Sequence, residues 1–271
     1  MLLSAETGTN RSVERAVAVL RAFADSSRLR VAEVARLTGL RQSTASRLLS
    51  TLEQTGLVER DHDGRYRLGV DLISLAGVVM NGHPVHHAAR QPAQLLAVAT
   101  GLGTNVAVRH GIDVFYLCNF EGAAAPRSVA LAGRRNPLHA TALGKCLLLS
   151  LTATQRRQVL GSLTRFTAQT ITDHASLDAV VELVEWRGYA TETEEFALGQ
   201  TCLAAPLRDR TGRVIGALSL SGPSSVVDLP GRELELSRLV AETADAINSQ
   251  LGYHSPADHQ IPAPARHDLR S

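Results

Sequence analysis

Residues 31–69 read VAEVARLTGLRQSTASRLLSTLEQTGLVERDHDGRYRLG. Val31, Val34, Ala35 and Thr38 recur at helical spacing, and Gly39 stops the run. A second helix is predicted from about Arg41 to Gln54. Its Ala45, Leu48, Leu49 and Leu52 fall at i, i+3, i+4 and i+7, which makes one buried stripe. The opposite face carries Gln42, Ser43, Thr44, Ser46, Arg47 and Ser50, with Arg41 just ahead of it. That face is polar and short-chained, so nothing bulky or acidic keeps it out of a DNA major groove. Gln can pair there with adenine and Arg with guanine, both bidentately. Leu57-Val58 and Tyr66–Leu68 then read as two strands around an Asp63-Gly64 turn, since Gly readily takes positive φ. Arg60, Arg65 and Arg67 on this hairpin suit phosphate or minor-groove contact. Upstream, Val13, Val17, Leu20 and Ala24 predict a first amphipathic helix. Three helices and a hairpin make a winged helix-turn-helix. Small units of this shape also mediate protein contacts, so residue chemistry alone leaves that alternative open.

Charge distribution agrees with a polyanion partner for this end of the chain. Residues 1–90 hold 12 arginines against 9 carboxylates, whereas residues 91–250 hold 14 cations against 15 carboxylates. Lys145 is the single lysine. At 271 residues the chain is long enough for two modest domains, each with its own core. The three cysteines, Cys118, Cys146 and Cys202, form no CxxC pair, which speaks against a disulfide framework or closed zinc site and suits a reducing cytoplasm. No signal peptide or membrane-length apolar run is read, so a cytoplasmic protein without a membrane partner is expected.

The remaining chain is predicted to be α+β. Disordered tails are expected at 1–10 and 253–271, the winged helix at 11–70, a linker helix at 71–90 that breaks at His83-Pro84, and a second domain at 91–252. In that domain 104–109, 113–120 and 127–131 read as strands. Residues 138–151 read as a turn running into an apolar helix, and 176–187 as a helix ending at Gly188. Two strands flank Asp209–Gly212, and a helix follows from about 230 to 250. An antiparallel sheet flanked by helices is the expected architecture.

SVERAVAVLRAF (12–23), VAEVARLTGLRQSTASRLLSTLEQTGLVERD (31–61) and DGRYRLG (63–69) resemble the DNA-binding domain of the IclR family of bacterial regulators. Arg41 departs from the Pro or Ser that the family often has there, and it neither caps a helix nor fits its first turn. LHATALGK (138–145) and RGYATETEEFALGQTCLAAPLRDRTGRVIGALSLSGP (187–223) resemble the family's effector domain, a GAF-like fold. The resemblance spans about residues 11–252. It implies a repressor-type regulator whose operator affinity is changed by a small organic acid or similar polar or anionic metabolite. It also implies palindromic double-stranded operator DNA, and a homodimer or a dimer of dimers.

The same resemblance implies the effector-binding positions. Cys202 matches the Cys that starts one core strand, and Ser219 and Ser221 match alternating serines on the next. Their spacing of two puts both hydroxyls on one face. Glu192 stands where the family usually has Asp. Ala142 and Leu143 match a turn whose backbone N–H groups meet an anionic ligand at a helix N-terminus. Each has a plainer reading. Cys202 can be core, the serines can face water, and Glu192 lies in an acidic run, Glu192-Thr193-Glu194-Glu195, of the kind that usually makes a solvated face.

Other constellations carry less. His83, His86 and His87 straddle Pro84 with no further ligand nearby, so a solvated linker is expected rather than a metal site. Cys146 lies in an apolar helical run, which points to a buried, inert thiol rather than a partner of His139. No cofactor is expected, and no catalytic residues are assigned. The alternative is a small-molecule enzyme, working through Cys202 or Glu192 and tethered to DNA by the winged helix.

Overall fold

The computed structural model describes residues 10–125 and 131–254. The predicted tails and the predicted strand at 127–131 lie almost wholly outside the described residues. The chain divides into two units, Met1–Met80 and Asn81–Ser271.

In the first unit α1 (Arg11–Arg21) is followed by α2 (Val31–Thr38) and α3 (Gln42–Gln54). α2 opens with the Arg30 N–H donating to the Glu33 carboxylate at 2.6 Å and stops where Gly39 takes φ 68°, a left-handed conformation open to glycine. α3 buries Ala45, Leu49 and Leu52, with Leu48 half-buried beside them. Arg41 is an extended N-cap whose side chain caps nothing, which sets the start of α3 at Gln42. α1 departs from its predicted stripe. Val13 and Val17 are exposed, α1 ends before Ala24, and the core takes Val19 and Phe23 with Ala16 and Leu20 against them. The segment is apolar on two adjacent stripes, and the one that continues into Phe23, just past the end of α1, is the one buried. β1 (Val58–Arg60) and β2 (Tyr66–Leu68) pair antiparallel, and Leu29 bridges to Tyr66 on the other edge. The intervening loop is held by Asp61, whose carboxylate accepts the N–H groups of Asp63 and Arg65.

α4 (Asp71–Gly82) carries no buried residue. The predicted break at His83-Pro84 is also a start, because Pro84 opens α5 (Pro84–Thr100) in the first-turn position where its missing N–H is harmless. Val85, Ala88 and Ala89 are in the core of the second unit, so residues 84–90, expected as linker, belong to that unit.

Among the described residues, the second unit holds a six-stranded antiparallel sheet. Its strands are β3 (Gly103–His110), β4 (Asp113–Phe120), β5 (Arg135–Pro137), β6 (Ala190–Thr193), β7 (Gln200–Arg208) and β8 (Val214–Pro223), in the order β5-β4-β3-β8-β7-β6. Period-two alternation sorts its side chains. One face, with Leu203, Leu207, Leu218 and Leu220, packs on α5 and on α10 (Leu229–Gln250). The other bears Ala107, Ala190, Ala204 and Ala217, small enough to admit α6 (Ala142–Leu147). α6 sits so close to the preceding segment that a Cβ on Gly144 would lie 2.0 Å from the Leu138 carbonyl oxygen. α7 (Ala153–Leu160), α8 (His174–Arg187) and the short α9 (Ser224–Val227) complete the unit, with Gly188 at φ 81° closing α8 as expected. The fold is α+β, a helix-turn-helix unit followed by an antiparallel sheet with helices on both faces.

Candidate DNA interface and ligand cavity

The polar face of α3 stands free of its own core. Arg41, Gln42, Ser43, Ser46 and Arg47 are exposed, while Thr44 is half-buried and has less to offer a base. The wing arginines differ from one another. Arg67 closes onto Glu59, its Nε and Nη2 donating to one carboxylate oxygen at 3.0 and 2.7 Å, and that pairing holds the Glu59 carboxyl below its usual range. Arg60 lies 5.6 Å over the Tyr66 ring. Arg65 is held only loosely, 4.0 Å from Glu33, and is the best placed of the three predicted wing cations for a phosphate. Arg65→Ala is expected to weaken binding to specific and random duplexes about equally and to lower the slope of log affinity against log salt by about 1. Arg67→Ala should do less, because Glu59 already neutralises it. Fluorescence anisotropy across a salt series measures both, and equal effects would discount the ion pair.

The second site is made by strand register. Glu192, Cys202 and Ser221 lie side by side across β6, β7 and β8, and the next row on the same face holds Ala190, Ala204, Ser219 and Asn105. Adjacent strands lie about 4.8 Å apart, so these side chains converge. Of these, Asn105, Glu192, Cys202, Ser219 and Ser221 line a cavity of about 320 Å³ with Ala142 and Leu143 at the start of α6. That volume suits a small molecule. All six residues the sequence nominated for ligand contact, Ala142, Leu143, Glu192, Cys202, Ser219 and Ser221, therefore border one space. The start of α6 is capped by its own residue, Thr141 Oγ1 accepting from the Gly144 N–H at 3.1 Å.

Lining residues that the sequence reading did not nominate include Asn105, Phe196, Gln200 and Asn136, whose Nδ2 donates to the Tyr116 hydroxyl at 3.0 Å. Asn105 Nδ2 donates to Ser219 Oγ at 3.2 Å and Ser221 Oγ at 3.0 Å. Its signal is strand pairing across more than a hundred residues, which no local pattern carries. Phe196 lies on the loop after β6, which Thr167 and Thr170 hold by donating to the carbonyls of Glu194 and Glu195, each at 2.6 Å. Lys145 closes the same corner, donating to the Thr191 carbonyl and pairing with Glu195.

Glu192 is not on a solvated face. It is 3% exposed, and its Oε1 accepts the N–H groups of Glu195 at 2.6 Å and Phe196 at 3.3 Å. Burial pushes its pKa above the ordinary carboxylate range, the two N–H donors offsetting only part of that. A carboxyl with a raised folded-state pKa favours folding in its protonated form, and that contribution is lost as pH rises through the folded value. Glu192→Gln cannot ionise. The ligand-free variant should therefore gain melting temperature relative to wild type as pH rises above about 4.5. A difference that stays constant with pH would contradict burial as the cause.

The catalytic temptations separate. Cys146 is fully buried, its thiol pushed up to about 12 by burial, and it donates to the Ala204 carbonyl. His139 instead meets the Thr164 carbonyl at 2.9 Å. His83 is the N-cap of α5, His86 is buried and His87 exposed, and the described residues hold no group of three or more His, Cys, Asp or Glu fit for a metal. No helix among the described residues is long and apolar enough to cross a membrane.

Comparison with known proteins adds three findings. Residues 12–62 match the IclR helix-turn-helix domain, and residues 77–249 match the family described as bacterial transcriptional regulator IclR C-terminal. Over 250 residues the chain is 32% identical to the HTH-type transcriptional regulator XynR of Escherichia coli, covering 90% of this chain and 98% of that protein. It is 31% identical over 259 residues to the HTH-type transcriptional repressor AllR of Klebsiella pneumoniae, covering 94% of each. A crystal structure of an IclR homolog complexed with 4-hydroxybenzoate, from Microbacterium hydrocarbonoxydans, aligns with a TM-score of 0.76 at 26% identity, over 89% of this chain and 98% of that one.

Proposed function

This chain belongs to the IclR family of DNA-binding transcriptional regulators, and from that premise we propose that it is a cytoplasmic, ligand-responsive repressor. In this reading α3 enters the major groove with Gln42 and Arg47 foremost, and Arg65 on the wing contacts the backbone. The cavity bordered by Glu192, Cys202, Ser219 and Ser221 takes a small polar metabolite that alters operator affinity. The observation that carries this is the convergence, in one unit, of residues from α6, β6, β7 and β8 on a cavity of ligand size, while the other unit holds the helix-turn-helix. The AllR relative, a repressor by name, supports repression, and the 4-hydroxybenzoate complex supports a small organic ligand. The relatives, a transcriptional regulator and a transcriptional repressor by name, favour binding over turnover.

A twofold assembly on a palindromic site belongs to the same proposal. One winged helix covers little DNA, and a dimer doubles the sequence read. α4 offers the seam, with Leu75, Ala76 and Val79 exposed, Ile73 and Val78 exposed beside them, and Leu72 half-buried.

Two measurements test the proposal. Operator binding should respond to a metabolite that is recovered chemically unchanged after long incubation, and stoichiometric conversion would favour the enzyme reading. Sedimentation velocity at micromolar concentration should show a dimer or larger, and Leu75→Glu with Val79→Glu should shift it toward monomer. A wild-type monomer with and without DNA sinks the assembly.

A further inference from the structure

α3 begins against the usual rules for a helix start. Arg41, its N-cap, supplies no capping hydrogen bond, and no acidic residue stands in the first turn. A cation there lies beside the positive end of the helix dipole, where a carboxylate would be favourable. α2 shows the contrast, because Glu33 in its first turn accepts the Arg30 N–H at 2.6 Å. Local helix stability therefore does not account for an arginine at position 41. Contacts within the fold do not account for it either. Arg28 pairs with Asp61, Arg65 with Glu33 and Arg67 with Glu59, and Arg60 lies over the Tyr66 ring. Arg41 is exposed, and among the described residues its side chain has no hydrogen bond or ion pair. A side chain that weakens its own helix and gains nothing inside the fold is of the kind that serves a partner.

Resting on the reading of α3 as the recognition helix, we propose that Arg41 is a specificity-determining residue, reading a guanine next to the base pair read by Gln42. A recognition helix contacts base edges through its N-terminal residues, so a side chain at the N-cap is carried toward them. Ser43 and Ser46 are exposed and short, which lets the helix backbone lie close to the groove floor. Consecutive Cα atoms are about 3.8 Å apart and base pairs stack about 3.4 Å apart, so Arg41 and Gln42 match neighbouring base pairs. A guanidinium there meets guanine O6 and N7 with two parallel N–H donors. Phosphate is the competing target of any arginine on DNA, and it predicts a different outcome.

The full chain first selects its own operator from random duplex. In that operator a G·C pair is expected beside the position whose preference Gln42→Ala relaxes, and its absence there overturns the proposal. Replacing that G·C pair by A·T should cost the wild type roughly 5- to 150-fold in affinity by anisotropy, and should cost Arg41→Ser less than about 3-fold. Serine at an N-cap accepts a first-turn N–H, so this variant should melt at or above the wild-type temperature while it loses discrimination. If Arg41→Ser melts lower, Arg41→Ala, which removes the guanidinium without adding a cap, repeats the comparison. Equal loss on the selected, substituted and random duplexes, with the slope of log affinity against log salt lowered by about 1, makes Arg41 a phosphate contact and overturns the proposal. An undiminished preference for G·C in the variant overturns it as well. Should Gln42→Ala with Arg47→Ala leave operator affinity intact, α3 is not in the groove and the proposed function loses its DNA reading. Base preference lost in that double variant but kept in Arg41→Ser refutes the role of Arg41 alone.

Discussion

Alanine at both Gln42 and Arg47 is expected to cost the protein roughly 30- to 20,000-fold in operator affinity, because each good base contact is worth about 1–3 kcal/mol and every 1.4 kcal/mol is about tenfold. The two residues lie on the exposed face of α3, away from the buried Ala45, Leu49 and Leu52, so the helix keeps its core. Alanine is also a better helix former than either residue it replaces. The loss should therefore appear in recognition and not in folding. Affinity for random duplex should fall much less, since the phosphate contacts of Arg65 and its neighbours survive. The measurement is anisotropy on a fragment selected from random sequence by the wild-type protein, alongside a thermal melt of the variant. Undiminished affinity for the selected fragment with the double substitution would remove α3 from the groove.

Ser219→Ala together with Ser221→Ala is the second large effect. A regulatory coupling of about 1–3 kcal/mol changes operator affinity roughly 5- to 150-fold, and the double variant should bring that factor to about 1. Both serines are buried, and both accept from Asn105, so their removal leaves the amide without acceptors as well as the ligand without its hydroxyls. Single replacements should retain part of the response, because the other hydroxyl still anchors Asn105. A ligand shifts an equilibrium only by its differential affinity for the two states, so a variant that cannot bind cannot switch. Operator affinity without effector should persist. A wild-type response from the double variant moves the pocket elsewhere, and loss of DNA binding outright makes the serines structural.

What could be read from the sequence follows the range of the interactions concerned. α2, α3 and the wing were legible because their signals are local: a stripe at i, i+3, i+4, i+7, a glycine where φ must be positive, a turn between two short strands. The stripe of α1 was misread because two adjacent faces of that helix are apolar, and only tertiary packing, which buries Val19 within it and Phe23 just past its end, decides between them. β5 and α7 went unread, one being three residues long and the other carrying one buried side chain, Arg156, instead of an apolar stripe. Glu192 shows the limit most clearly. Beside Glu194 and Glu195 it reads as surface, and only the pairing of β6 with β7 puts it under the sheet's neighbours, opposite Cys202. The six nominated cavity residues came through family resemblance, not through local pattern, and Asn105 came through neither.

Lys145 gives the protein a chemical property that follows from composition and burial together. It is the chain's single lysine and is 1% exposed, its ammonium sealed by Glu195 and the Thr191 carbonyl. An amine-reactive reagent therefore meets one ε-amine in the whole chain, and that one is hidden while the corner between α6 and β6 stays closed. Its modification becomes a clock for local opening, read by mass spectrometry on a single peptide. A pulse of reagent given with and without a bound compound would then time how often that corner of the cavity breathes.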